Sequence, residues 1–423
     1  MPSEFAIHAA WILPMSAPAI RDGVIHVRSD RIVQVMPVDS LAEVVNRGIP
    51  IVHLPRTILL PGLINAHCHL DYTGMAGLVP SHPSFTRWIH MLQGLKRSWG
   101  VEEFRASWLL GARQLLSSGV TTVCNIETTW DLIPEVVHQT PLQVISCWEL
   151  ISVNQSATDF PILERAREAC QRKGPPWWSQ GFSPHAPYST TPAFLKAFRE
   201  WIGAEGPLIT MHVGESAEEW EMFQTRSGAL HDWLEPQRGS SDCGQVTPLE
   251  ATERSGLLGP RFLAVHGNHL TPSDAATLAR TRASIVHCPQ SHHYFQHADF
   301  PWAATQQAGV NVCLGTDSLA TTTPSPGRTL ELSLFDEMRT LAMKKPDLNA
   351  ESILRLTTVN AAKALGLNDG RGMLRPGGKA DLIGIPISSA EEDYDPYDTV
   401  LNTLRKPDLV MIEGKRIHGP TDP

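Results

Sequence analysis

The chain has 423 residues, 42% hydrophobic and 19% charged, an ordinary globular composition with room for one large domain and a smaller one. Its 35 basic and 44 acidic residues give a net charge of −9 with no basic block, which argues against a nucleic-acid surface. Seven scattered cysteines without a CxxC pair argue against a disulfide framework or a cysteine zinc site, and fit a reducing, cytoplasmic setting.

The opening MPSEFAIHAAWILPM lacks the basic leader and sustained apolar run of a signal peptide. No stretch approaches ~20 consecutive apolar residues, so no membrane span is expected. GVIHVRSDRIVQV (23–35) reads as two short strands around a Ser-Asp turn, and IVHLPRTILLPG (51–62) as strand, turn, strand; no long helical pattern appears in this part. VEEFRASWLLGARQLLSSG (101–119) has helical spacing and a closing glycine, and VTTVCNI follows as a buried strand. PLQVISCWE, GFSPHAP, PLITMHVGE, RFLAVHGNH, ASIVHCP and VNVCLGTDS each read as a short apolar strand with a polar end. Helical segments such as ILERAREACQRKG, PAFLKAFREWIG and SDAATLARTR lie between them. Strand–helix alternation implies a parallel sheet, and about eight such strands between Leu59 and Leu319 suit a (β/α)8 barrel. LEPQRGSSDCGQVTP (234–248) reads as a mobile polar loop. The tail, GMLRPGGKADLIGIP and DTVLNTLRKPDLVMIEGKRI, returns to β character. The expected architecture is an α/β chain: a barrel over 59–370 beside a small composite β-sandwich domain built from 1–58 and 371–423.

Catalytic groups in such a barrel sit at the C-terminal strand ends. In PGLINAHCHLD, His67 and His69 are spaced i, i+2 and converge on one side of a strand, with Cys68 facing away. Alone, the pair is either a metal site or two polar residues at a strand end. However, His185, His212, His266 and Asp317 end four further strands, and five strands delivering His or Asp at one end point to a site. Three neutral imidazoles and a carboxylate suit zinc or ferrous iron, which acidifies water. Glu215, just beyond His212, is placed to move protons; His266 can hold water or polarise an oxyanion, and Asp317 can orient the water. No lysine ends a predicted middle strand, as a carboxylated bridge between two metals would need, so one metal is expected.

PGLINAHCHLD, SPHAPYST, HVGES, VHGNHLT, LGTDS and GKADLIGI together resemble the amidohydrolase superfamily, most closely its mononuclear aminohydrolase branch. That branch includes deaminases of adenosine-type compounds, guanine and cytosine, and the triazine hydrolases. The resemblance implies a distorted (β/α)8 barrel and a hydrolase acting on carbon–nitrogen bonds of cyclic amidines. It implies that His67, His69, His212 and Asp317 bind one divalent metal, with zinc preferred to iron. By the same likeness Glu215 is the proton shuttle, His266 the second catalytic histidine and His185 a substrate contact. The connection from Asp71 through Phe85 to Trp88-Ile89, and the segment 244–270, look like aminodeoxyfutalosine deaminases of the alternative menaquinone pathway. Other purine or pterin deaminases (of S-adenosylhomocysteine, methylthioadenosine, guanine or isoxanthopterin) and triazine-type hydrolases are the alternatives. A small-molecule substrate is implied; a homodimer is common in the family.

Five further residues are candidates for substrate recognition. Arg87 can hold a carboxylate or ribose hydroxyl, and Trp88 can stack on a flat base. Glu149 can bind a ring nitrogen or ribose, and Ser291 or His292 can reach a substrate edge. Each also has an ordinary structural reading: surface arginine, core tryptophan, salt-bridge carboxylate, solvated loop.

Overall fold

The computed structural model describes residues 2–419 apart from 204–205, 325–326, 328 and 392, and the side chains of 42–44. Strands β1 (Glu4–Ile12), β2 (Ile20–Arg28), β3 (Arg31–Pro37) and β4 (Ile51–Pro61) come from the N-terminal part. Eight strands follow: β5 (Leu63–Cys68), β6 (Val120–Glu127), β7 (Gln143–Leu150), β8 (Trp178–Pro184), β9 (Ile209–Val213), β10 (Phe262–His266), β11 (Ser284–His287) and β12 (Asn311–Leu314). The C-terminal part adds β13 (Leu382–Pro386), β14 (Leu409–Ile412) and β15 (Lys415–His418).

β5 to β12 lie in chain order as one parallel eight-stranded sheet. Its seam is closed by backbone bonds: Asp317 N–H donates to His67 O at 3.1 Å, and His69 N–H to Asp317 O at 3.4 Å. The expected barrel is therefore present. The chain-end strands form a separate mixed sheet, β15-β14-β13-β4-β1-β2-β3, in which β13 pairs antiparallel with β4 and joins the two ends of the chain. No described helix is long and apolar enough to cross a membrane.

Strand periodicity sorts the core into layers. Ile64, Ala66, Cys124, Ile126, Ile145, Cys147, Leu263, Val265, Val286 and Cys313 pack as one cluster, closed at one end by Ala361, Ala362 and Ala364. The opposite strand faces, with Val123, Val144, Met211, Val213, Ala264 and Leu314, pack against helix residues such as Leu115, Phe194 and Leu278. The inner layer is small and apolar, which leaves the C-terminal mouth to the polar residues.

Several local expectations change. IVHLPRTILLP is one strand; Ala9 and Trp11 face Leu54 and Ile58, so Pro55 sits in a bulge instead of a turn. One short helix, Leu41–Asn46, lies between β3 and β4, in keeping with the absence of a long helical pattern there. DTVLN belongs to a helix, Pro396–Asn402, capped by Asp395, whose carboxylate accepts from Tyr397 N and Asp398 N. The 234–248 stretch begins as the end of helix Ala229–Arg238. Its remainder is tied down, with Arg238 donating to both Asp242 oxygens and Arg226 donating to Cys243 O at 2.8 Å.

Candidate metal centre and catalytic cavity

Three backbone irregularities aim the polar residues at one point. In β5, Asn65 and Cys68 face Val123 and Asn125, so β5 carries one extra residue. Ala66 lies in the inner layer and Cys68 in the outer one, although a regular strand would put both on one face. The bulge thus lets His67 and His69 both face the barrel mouth. On β10, Val265 faces inward, so the next side chain should face out. His266 instead adopts φ +69°, which turns its ring to the centre. Asp317 lies just past β12 with φ +52°. Such left-handed non-glycine residues cluster at functional sites.

The result is compact. Ligand nitrogens of His67, His69 and His212 lie within 4.8 Å of one another, the one such three-residue group among the described residues. Asp317 Oδ1 is 3.6 Å from His67 Nε2 and 3.7 Å from His69 Nε2. His212 Nδ1 donates to His185 O at 2.8 Å, which leaves Nε2 as the lone-pair nitrogen. Both His67 ring nitrogens and His69 Nδ1 are buried without a hydrogen-bond partner. Burial holds His69, His212 and His266 well below the ordinary imidazole pKa, so they are neutral. Burial opposes ionisation of Asp317, but the imidazoles of His67, His266 and His69 outweigh it and keep the carboxyl well below its usual range. Neutral imidazoles, one carboxylate and orphaned nitrogens fit a divalent ion.

Glu215 stands beside this cluster, its Oε1 3.4 Å from His266 Nε2. Its backbone is held on both sides: its N–H donates to Glu219 Oε2 at 2.8 Å, and its carbonyl accepts from Asn268 Nδ2 at 3.0 Å. Burial, with Asp317 and Glu219 nearby, raises its pKa well above the usual range. The neutral acid is favoured, so Glu215 carries a transferable proton.

His69, His212, Glu215, His266 and Asp317 open onto a cavity of about 430 Å³, within the usual range for small-molecule sites. His185, Trp88 and Glu149 also line it. His185 Nδ1 is 2.6 Å from Ser189 Oγ, and its Nε2 is 4.0 Å from Glu149 Oε1. Two residues expected at the substrate lie elsewhere. Arg87 projects from helix Phe85–Ser98 into solvent, because Phe85 and Trp88 take the buried face. Ser291 is buried in the short helix Pro289–Tyr294 and lies outside the cavity lining, and His292 is engaged by Asn268 Oδ1 at 2.9 Å. Sequence reasoning missed Lys96 and Tyr72. Lys96 lies in the last turn of helix Phe85–Ser98, an ordinary place for a basic residue.

The amidohydrolase family pattern matches residues 58–417. A 5-methylthioadenosine/S-adenosylhomocysteine deaminase of Teredinibacter turnerae is 27% identical over 415 residues, covering 95% of this chain and 88% of that protein. The structure is similar to an adenosine deaminase from Xanthomonas campestris with bound zinc, with TM-score 0.82, 26% identity, and 98% and 93% of the two chains covered. It also shares its fold with Helicobacter pylori aminofutalosine deaminase, with TM-score 0.81, 18% identity and 98% and 100% coverage. The match spans both the barrel and the strands that unite the chain ends: this chain belongs to the amidohydrolase family.

Proposed function

We propose that the protein is a metal-dependent hydrolytic deaminase of an amino-substituted heteroaromatic ring, an adenine-type compound in the first place. The observation that carries this reading is the convergence of three imidazoles and Asp317, with Glu215 beside His266, at one end of a single cavity. The adenosine-type substrates in the names of the two relatives near 27% identity support the choice of ring.

His67, His69, His212 and Asp317 would hold one divalent ion, zinc by preference. Such an ion supplies a Lewis acid that lowers the pKa of water. The chain's own residues do the rest. His266 and Asp317 hold the attacking oxygen and steady the charge that develops on it. Glu215 delivers a proton to the ring nitrogen next to the amino-bearing carbon as water adds there. The carboxylate left on Glu215 takes up a proton from the added water and passes it to the amino group; the carbon–nitrogen bond then breaks, ammonia leaves, and the ring carbon becomes a carbonyl. His185, Trp88 and Glu149 contact the substrate, and Trp88 offers a flat face to its ring.

The test is ammonia release from metal-loaded protein against adenosine, methylthioadenosine, S-adenosylhomocysteine, aminodeoxyfutalosine, guanine, cytosine and isoxanthopterin. Release from an adenine-type member supports the proposal. Silence across the panel with one equivalent of metal bound defeats it.

A further inference from the structure

The cavity contains a cation that the chemistry above does not use. Helix Phe85–Ser98 presents Phe85, Trp88, Ile89 and Leu92 to the cavity as an apolar wall, and one turn further on it presents Lys96. The Tyr72 ring lies flat against the His69 imidazole, with centroids 5.2 Å apart and planes within 4°. Lys96 Nζ lies 4.8 Å from the Tyr72 centroid and donates to the Tyr72 hydroxyl. The ammonium therefore stands one aromatic ring away from a histidine of the candidate metal centre.

An ammonium has three N–H donors. Among the described residues the Tyr72 hydroxyl is its one hydrogen-bond acceptor, and no carboxylate lies within ion-pair distance. Burial opposes the charge, but Tyr72, Glu149 and Asp71 outweigh it and raise the pKa of Lys96, so it is charged at neutral pH. Two of its three N–H donors therefore stay free for a ligand in the cavity. Its long-range acidic neighbours keep it ionised without occupying its donors.

We infer that Lys96 forms a subsite for an anionic oxygen of the substrate, a carboxylate carried away from the carbon that loses ammonia. The inference rests on the reading of this cavity as the site of an amino-heteroaromatic substrate. It makes Lys96 a specificity-determining residue, in the role that the sequence offered to Arg87.

The test is binding, read from tryptophan fluorescence, since Trp88 and Trp233 both line the cavity. The probes are adenine, guanine and cytosine carrying a carboxymethyl group on a ring nitrogen, each paired with its neutral carbamoylmethyl counterpart. Metal-loaded full-length protein should bind at least one acid about tenfold or more tightly than its amide. Lys96→Met should lose about 10- to 100-fold for the acid and less than about threefold for the amide, and Lys96→Arg should recover part of the loss. Lys96→Gln replaces the Met variant if that one does not fold. The absence of any acid preference, or equal loss of acid and amide in a variant with unchanged melting temperature, overturns the inference; the latter would mean that Lys96 only props Tyr72 against His69. Ammonia release without charge preference sinks this inference alone. Charge preference that depends on Lys96, with no ammonia release, leaves the subsite standing and sinks the deaminase reading.

Discussion

Glu127→Gln should stabilise the protein at alkaline pH and leave it nearly unchanged at acid pH. Glu127 ends β6 with no exposed surface. Its Oε1 accepts from Ser146 Oγ at 2.6 Å and its Oε2 from Trp108 Nε1 at 3.2 Å. Those donors favour the carboxylate, but burial outweighs them and pushes the pKa up from 4.5 to about 8. Between those values the folded state holds a proton that the unfolded state has released. Stability therefore falls as pH rises through this window, with a slope near 1.4 kcal/mol per pH unit, and levels off above about 8. The whole effect is on the order of 3–5 kcal/mol. Glutamine keeps an oxygen for Trp108 and can donate to Ser146 Oγ, so it replaces the neutral acid without its titration. The assay is chemical unfolding of both proteins at several pH values from 5 to 9, followed by tryptophan fluorescence. The stability difference, variant minus wild type, should grow with pH up to about 8 and then plateau. A difference that stays flat across the range would refute the assignment of a buried, protonated Glu127.

Asp317→Asn and His67→Ala should each abolish turnover and lower the metal content found by elemental analysis; a purified variant with wild-type activity would remove these residues from the centre. Glu215→Gln should keep its metal but lose about 10²–10⁴ in kcat, measured by ammonia release; an unchanged kcat would pass the proton-transfer role to another group. Gly315→Ala would place a methyl carbon 2.7 Å from His67 O and 2.9 Å from His67 N. That contact is with backbone and must push β5 from the seam. Metal affinity in a chelator competition should drop by about tenfold or more, and wild-type affinity would mean that the seam yields without moving His67.

The barrel was legible because βα alternation leaves a simple trace: short apolar runs, each ending in polar residues, separated by amphipathic helices. The composite sheet was legible in outline, since both chain ends alternate as strands do. What failed locally failed for identifiable reasons. Pro55 suggested a turn, but β4 tolerates it by bulging away from β1. The helix after Asp395 was signalled by an Asp-Pro pair, an N-cap followed by a first-turn proline, yet the surrounding β pattern dominated the reading. Helix Pro289–Tyr294 likewise begins with a proline, and the run of histidines behind it resembles a solvated loop.

The polar ends of β5, β9, β10 and β12 could be picked out as residue types, and alternation places His212 correctly between Met211 and Val213, but it misdirects the ends of β5 and β10. Strict alternation puts His266 on the outer face with Ala264, and gives Cys68 the same face as Ala66. The extra residue in β5 and the left-handed backbone at His266 reverse both assignments. These devices cost conformational energy, and each acts on a residue that borders the imidazole cluster. The same logic separates Arg87 from Lys96. Both are basic residues on helix Phe85–Ser98, nine positions apart, two and a half turns at 3.6 residues per turn. That half turn sets them on opposite faces, so the residue that Trp88 advertises by adjacency points to solvent, and Lys96, in the last turn of the helix, lines the cavity.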